Sequence, residues 1–159
     1  MLSWFQIIFG YLVPPALAAV FGGYAVHRWK GRSDYIEKRL DELCAIVADT
    51  ADLASDYWNK DQTNDARLEE AKIMSGLAKV AGLRVLLESF TSSATGRELQ
   101  LAEAVFLRET TGGNFGVHDR TADLDRVSGC QHAAAMFIVV IRAMSATGRK
   151  CDRRTCSGA

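Results

Sequence analysis

MLSWFQIIFGYLVPPALAAVFGGYAV, residues 1–26, contains no Asp, Glu, Lys, Arg or His. As one helix, Ser3 to Val26 would be about 36 Å long at ~1.5 Å per residue, enough to cross a hydrocarbon core of about 30 Å. Trp4 lies near one end, and Tyr24 and Trp29 lie near the other. Amphipathic rings favour the two membrane interfaces, so this stretch predicts a transmembrane helix.

The charges directly after this stretch predict its orientation. Basic residues lie only on its C-terminal side, which favours an N-terminus outside and a C-terminal domain in the cytoplasm. A cleaved signal peptide is the alternative, but such peptides carry basic residues before the apolar stretch. We expect four residues to contact the membrane surface: Arg28, Trp29, Lys30 and Arg32.

Prolines and small residues mark the middle of the predicted span. Pro14 and Pro15 remove two backbone donors, which favours a kinked helix and leaves a re-entrant hairpin as the alternative. Small residues four apart allow two backbones to approach closely in lipid. The predicted helix–helix interface consists of Ala18, Ala19, Gly22 and Gly23.

The net charge of zero conceals an uneven distribution. Residues 33–148 carry 18 acidic side chains against 12 basic ones, and residues 149–159 form a basic tail that we expect to be disordered. A surface with excess negative charge repels phosphate, so we expect neither DNA nor RNA as a partner. The four cysteines show no zinc-type spacing, so we expect reduced thiols, no metal site and no cofactor.

A heptad-like stripe follows the basic flank and predicts an amphipathic helix of about 25 residues. Asp34 with Glu37 three positions later resembles a capping box, which predicts that this helix begins there. The helix could pack within the chain or against a second copy. Its apolar and small positions are Ile36, Leu40, Leu43, Val47, Thr50, Ala54 and Tyr57.

Three further helices are predicted, at about 65–90, 97–110 and 121–147. Thr95 with Glu98 predicts the start of the third helix through a capping box, and Gly148 predicts the end of the fourth. The uncharged run from Gly129 to Ile141 is too short to span a membrane and is typical of a buried helix. The predicted inward positions are Ile73, Met74, Leu77, Val80, Ala81, Leu87, Leu99, Ala102, Val105, Phe106, Val127, Cys130, Ala134, Phe137, Ile138 and Ile141.

One charged residue interrupts the apolar face of the second predicted helix. Arg84 falls where a leucine is expected, and Glu88 follows one turn later. An ion pair at the edge of the helix explains both residues. The alternative is that Arg84 and Glu88 face a pocket or a partner.

Arg126 and His132 form the one pattern with a possible catalytic meaning. Their spacing resembles the loose Arg-x(4–6)-His signature of HEPN-type ribonucleases, which are small helical bundles. The resemblance implies that Arg126 would hold a phosphate and that His132 would transfer a proton during attack by an RNA 2′-hydroxyl. Val127 stands where that family commonly has a polar residue. Residues six apart on one helix point about 120° apart, so the two would converge only if the helix began within the motif.

We therefore expect an all-α protein with one N-terminal transmembrane helix followed by an antiparallel four-helix bundle. The expected divisions are an anchor with its basic flank at 1–32, a cytoplasmic bundle at 33–148 and a tail at 149–159. The predicted function is a membrane-anchored, non-catalytic interaction or scaffold protein that self-associates. Membrane lipid, a second copy and an unidentified protein are the expected partners. The alternatives are an oligomeric pore gated by the bundle and the ribonuclease.

Overall fold

The computed structural model describes residues 13–61, 66–117 and 120–155, with side-chain surroundings between residues 30 and 144 and at 23, 24, 27 and 28. Over these ranges all regular secondary structure is helical. The elements are α1 (Val13–Trp58), α2 (Ala66–Glu88), α3 (Ser93–Thr111) and α4 (Leu124–Thr155). The all-α prediction and the bundle of four helices are confirmed. The predicted transmembrane helix lies partly outside the described residues.

The expected helix start at Asp34 is wrong, because α1 runs without a break from Val13 to Trp58. Extending an existing helix adds one hydrogen bond for each residue fixed, whereas a new helix needs an unfavourable nucleus. Gly31 costs only about 1 kcal/mol in a helix interior, which is too little to interrupt it. The Asp34 and Glu37 pattern therefore lies inside a helix.

The chain divides into two compact units, Met1–Lys38 and Arg39–Ala159. In the second unit, the part of α1 from Leu40 to Tyr57 supplies one wall of the core. Six of the seven positions of the predicted stripe are buried, and Ile36, in the first unit, is half-buried. The inward direction of the stripe is confirmed, and burial of these side chains holds α1 in the bundle.

The helices α2 and α3 have the predicted order but differ in detail from the predicted faces. Met74 and Val105 were expected inside, yet 51% and 44% of their surfaces are exposed. The N-cap of α3 is Ser92, whose hydroxyl accepts from the backbone N–H of Thr95, so the predicted capping box at Thr95 is wrong. Ser92 occupies the N-cap position, where its hydroxyl satisfies one of the free backbone N–H groups at the start of the helix.

The fourth helix buries Cys130, Ala134, Phe137 and Ile141 as predicted, whereas Val127 and Ile138 are half-buried. It continues through Gly148 to Thr155, so the predicted end at Gly148 is wrong. Among the described residues, one stretch is long and apolar enough to span a membrane by length and composition, Leu124–Met144.

Candidate functional site

The predicted anchor residues are only partly described. The side chains of Ala18, Ala19, Gly22 and Trp29 lie outside the described residues, whereas Gly23, Arg28, Lys30 and Arg32 are exposed. The helix–helix interface and the contact with lipid therefore stay predictions.

Arg84 and Glu88 lie in a polar cluster that joins α2 to α3. The Arg84 guanidinium pairs with Glu88 on its own helix and with Glu103 on α3. The side-chain amide of Gln100 donates to Glu88 at 2.7 Å. These contacts pair the charge of Arg84 locally, which agrees with the ion-pair interpretation and adds an interhelical partner, Glu103. A role in a pocket or with a partner stays a prediction.

Arg126 caps the end of α3. Its Nη1 donates to the carbonyl oxygens of Arg108 at 3.1 Å and Glu109 at 3.4 Å. Cations stabilise the C-terminal end of a helix, where free carbonyls concentrate negative charge. His132 is exposed on α4. Because the Arg126 guanidinium already donates to the carbonyl oxygens of Arg108 and Glu109, a phosphate would have to compete with these oxygens for it.

A buried tryptophan lies where the end of α1 meets the end of α3 and the start of α4. Trp58 is 1% exposed, and its Nε1 donates to the carbonyl oxygen of Thr110 at 3.0 Å. Its own carbonyl oxygen accepts from the N–H of Asp123 at 2.8 Å. The side chain of Asp123 in turn accepts from the N–H of Arg126 at 3.0 Å and caps the start of α4. We call this region the Trp58 junction, comprising Tyr57, Trp58, Phe115, Arg120 and Arg126.

Arg120 is a buried cation held by aromatic rings and carbonyl groups. Its guanidinium carbon lies 4.3 Å from the ring centre of Tyr57 and 4.7 Å from that of Trp58, within cation–π range. Its Nη2 donates to the Tyr57 carbonyl oxygen at 2.6 Å, at the negative end of α1. Among the described residues, no carboxylate forms an ion pair with Arg120.

Tyr57 links the loop before α4 to α2. Its hydroxyl donates to Glu70 at 3.0 Å and accepts from the N–H of Gly116 at 3.1 Å. Burial raises the pKa of the Tyr57 phenol above its ordinary value. The Phe115 ring lies 5.1 Å from the Tyr57 ring, so this loop is fixed by aromatic contact as well as hydrogen bonds.

Sequence reasoning placed Tyr57 in the core but missed Trp58, Phe115 and Arg120 as parts of one site. Arg120 follows no periodic pattern, because it lies in a connection rather than in a helix. A surface cavity of about 450 Å³ opens beside this site. Its lining contains two arginines, Arg120 and Arg126, and two aspartates, Asp123 and Asp125. The four charged side chains of the lining therefore sum to zero net formal charge.

The two cysteines of the bundle are buried and protonated. Burial, followed by the charge of Glu109, raises the pKa of Cys130 to about 11. Burial also raises the pKa of Cys44, while the nearby Arg142 lowers it in part. Because the thiolate is the reactive form, both thiols act as small apolar core groups.

The outward side of α3 has a different character from the Trp58 junction. Leu101 is 63% exposed and Val105 is 44% exposed, with the small residue Ala104 exposed between them. Exposed arginines lie at both ends, Arg97 and Arg108. We call these five residues the α3 outer face. An apolar strip bounded by charges is typical of an interaction surface.

The described part of the chain contains no group of three or more His, Cys, Asp or Glu side chains placed to hold a metal ion. No protein-family model, curated protein or solved structure matches this chain.

Proposed function

We propose that this chain is a membrane-anchored, non-catalytic helical interaction protein that self-associates, with its N-terminus outside and its bundle in the cytoplasm. The α3 outer face is the observation that carries the proposal. The bundle already buries large side chains, including Trp58, Phe106 and Phe137. Leu101 and Val105 nevertheless remain exposed to water, and burying them against a partner would be favourable.

The distribution of charged contacts supports an interaction role. Arg84, Arg120 and Arg126 bind groups within the bundle, where they join helices and satisfy helix ends. The charged side chains of the α3 outer face remain exposed at its edges. Exposed charges around an apolar centre favour association with a defined partner and orientation.

The membrane part of the proposal is tested by alkaline carbonate extraction of the full chain synthesised with lipid vesicles. The wild-type chain should remain in the membrane pellet. Leu17→Lys combined with Val20→Lys should release it, since each charge near the centre of a span costs about 2.5–3.5 kcal/mol. The matched control places lysines at two exposed positions of α2, Ala71→Lys with Ala78→Lys, and should stay in the pellet.

A third variant separates the two possible spans. Met136→Lys with Val139→Lys puts the same charges into the apolar stretch of α4. Release of this variant, with retention of the Leu17 and Val20 variant, would contradict the N-terminal anchor. Release of the wild-type chain would contradict membrane anchoring altogether. The molar mass of the detergent-solubilised chain by light scattering tests self-association, and a monomer would contradict it.

A further inference from the structure

We propose that the α3 outer face binds the same face of a second copy, with the two α3 helices antiparallel about a twofold axis beside residue 103. This inference rests on the proposed function, because it identifies the surface through which the chain self-associates. The identity of the partner, a second copy of this chain, follows from the order of charged and apolar residues along α3. The charged and apolar residues concerned lie on one helix of 19 residues, α3.

The charges of α3 are arranged as a repeated dipeptide. Arg97-Glu98 lies near the start of the helix and Arg108-Glu109 lies near its end. In an antiparallel pair centred beside residue 103, position 97 faces position 109 and position 98 faces position 108. Glu98 then faces Arg108, and the twofold axis repeats this pair. The Glu109 carboxylate lies beside Gly129 on α4 and accepts from Arg108 of its own chain, so it takes no part in the contact with the second copy. A parallel pair in register would instead place each charged residue beside the same residue of the second copy, where the like charges would repel.

The exposed apolar residues of α3 are paired by the same twofold symmetry. Position 101 faces position 105 in this register, so Leu101 of each copy packs against Val105 of the other. Both side chains are exposed in the single chain, and burying them removes apolar surface from water. Ala104 is also exposed, and its small side chain permits the two helices to approach closely.

The side chain of Arg108 is available to such a partner. It is 71% exposed, although its Nε and Nη2 already donate to one oxygen of Glu109 in its own chain, at 3.0 and 2.9 Å. A guanidinium has five N–H donors, so Arg108 can keep this pair and donate to Glu98 of a second copy. The resulting interface is isologous, which is the commonest arrangement in homodimers.

The register is tested by disulfide cross-linking of the full chain in detergent. The background carries Cys151→Ser and Cys156→Ser, which leaves only the buried thiols of Cys44 and Cys130. One preparation then carries Leu101→Cys and a second carries Val105→Cys. Oxidation of the mixture should give at least about tenfold more cross-linked dimer than either preparation alone. In each separate preparation, the two thiols are offset by about 6 Å along the helix axis.

Charge reversal tests the proposed ion pairs in the same mixture. Arg108→Glu in both preparations should reduce cross-linking about tenfold, because two favourable charge contacts become repulsive. Adding Glu98→Arg should restore cross-linking. The matched control is Lys79→Glu, the same reversal on the exposed side of α2, and it should leave the yield unchanged.

The outcomes separate this inference from the proposed function. Equal cross-linking in the mixed and separate preparations would overturn the antiparallel register. Absence of cross-linking while the molar mass still shows an oligomer would overturn the α3 interface and leave association through the anchor in place. Melting curves by circular dichroism, equal to that of the background chain, exclude misfolding as the cause. A monomer under all conditions would overturn both proposals.

Discussion

The Trp58 junction and the α3 outer face use similar residue types for different purposes. In the junction, Arg120 lies over two rings and is 6% exposed. On the outer face, Arg108 is largely exposed beside two aliphatic side chains. An arginine that supplies a helix end with donors stabilises the fold, whereas an exposed arginine at an apolar edge gives a surface its specificity. Substitutions in the first region should therefore change stability, and those in the second should change association.

The largest effect on stability is expected from Trp58→Ala. This substitution removes a fully buried indole, its hydrogen bond to Thr110 and the ring against which Arg120 lies. Loss of a buried aromatic side chain costs about 3–5 kcal/mol in the free energy of unfolding. Urea denaturation of the detergent-solubilised chain measures the loss. Trp58→Phe retains a ring and should lose less, and equal losses in the two variants would contradict the proposed role of the indole.

Arg120→Met should lower the free energy of unfolding by about 2 kcal/mol, because it leaves the buried carbonyl oxygen of Tyr57 without this donor. Arg120→Lys retains the charge but lacks a planar group to stack on both rings. It should recover only part of the loss. Full recovery by lysine, measured by the same urea titration, would show that charge alone matters at this position.

Two glycines of α2 lie in different surroundings, Gly76 at a close contact between helices and Gly82 at an open surface. A Cβ at Gly76 would overlap the buried side chain of Thr50 on α1, whereas a Cβ at Gly82 meets no atom within 4 Å. Gly76→Ala should therefore destabilise the chain by about 1–2 kcal/mol. Gly82→Ala should stabilise it by about 0.5–1 kcal/mol through helix propensity. Thermal unfolding followed by circular dichroism gives both values, and changes of the same sign would contradict this comparison.

Alkaline pH should weaken the bundle partly through Cys130. Its pKa in the folded state is raised to about 11 from an ordinary value of 9.0. The folded state therefore binds this proton more tightly than the unfolded state, and this stability, present below pH 9, is lost as the pH rises towards 11. Cys130→Ala should lose less stability than the wild-type chain between about pH 9 and pH 11, the window set by the two pKa values. Parallel losses in urea midpoints would contradict this role for Cys130.

The smallest effect on stability is expected from Leu101→Ser on the α3 outer face. An exposed substitution of this kind changes the free energy of unfolding by less than about 0.5 kcal/mol. The molar mass of the detergent-solubilised chain should nevertheless shift towards that of the monomer. A large loss of stability would place Leu101 in the core and remove the contrast with the Trp58 junction. The matched control is Leu68→Ser on α2, since Leu68 is similarly exposed at 61%.

The sequence by itself determined the helical class and the approximate inward direction of the bundle helices, because apolar residues at helical spacing must be buried against a neighbour. Leu40, Leu43, Val47, Phe106 and Phe137 could all be assigned in this way. The exact helix ends could not. They depend on local competition, such as Ser92 against Thr95 at the start of α3.

The tertiary structure alone decided which side chains form the Trp58 junction. Trp58 and Arg120 are 62 positions apart in the chain and share no periodic pattern, yet they come into contact where three helix ends meet. It also decided that Val105 is exposed rather than buried, because a helix has two flanks beside its inward side and only packing selects between them. Sequence periodicity thus fixes an approximate direction for each helix. Contacts between helices determine which residues are left for a partner.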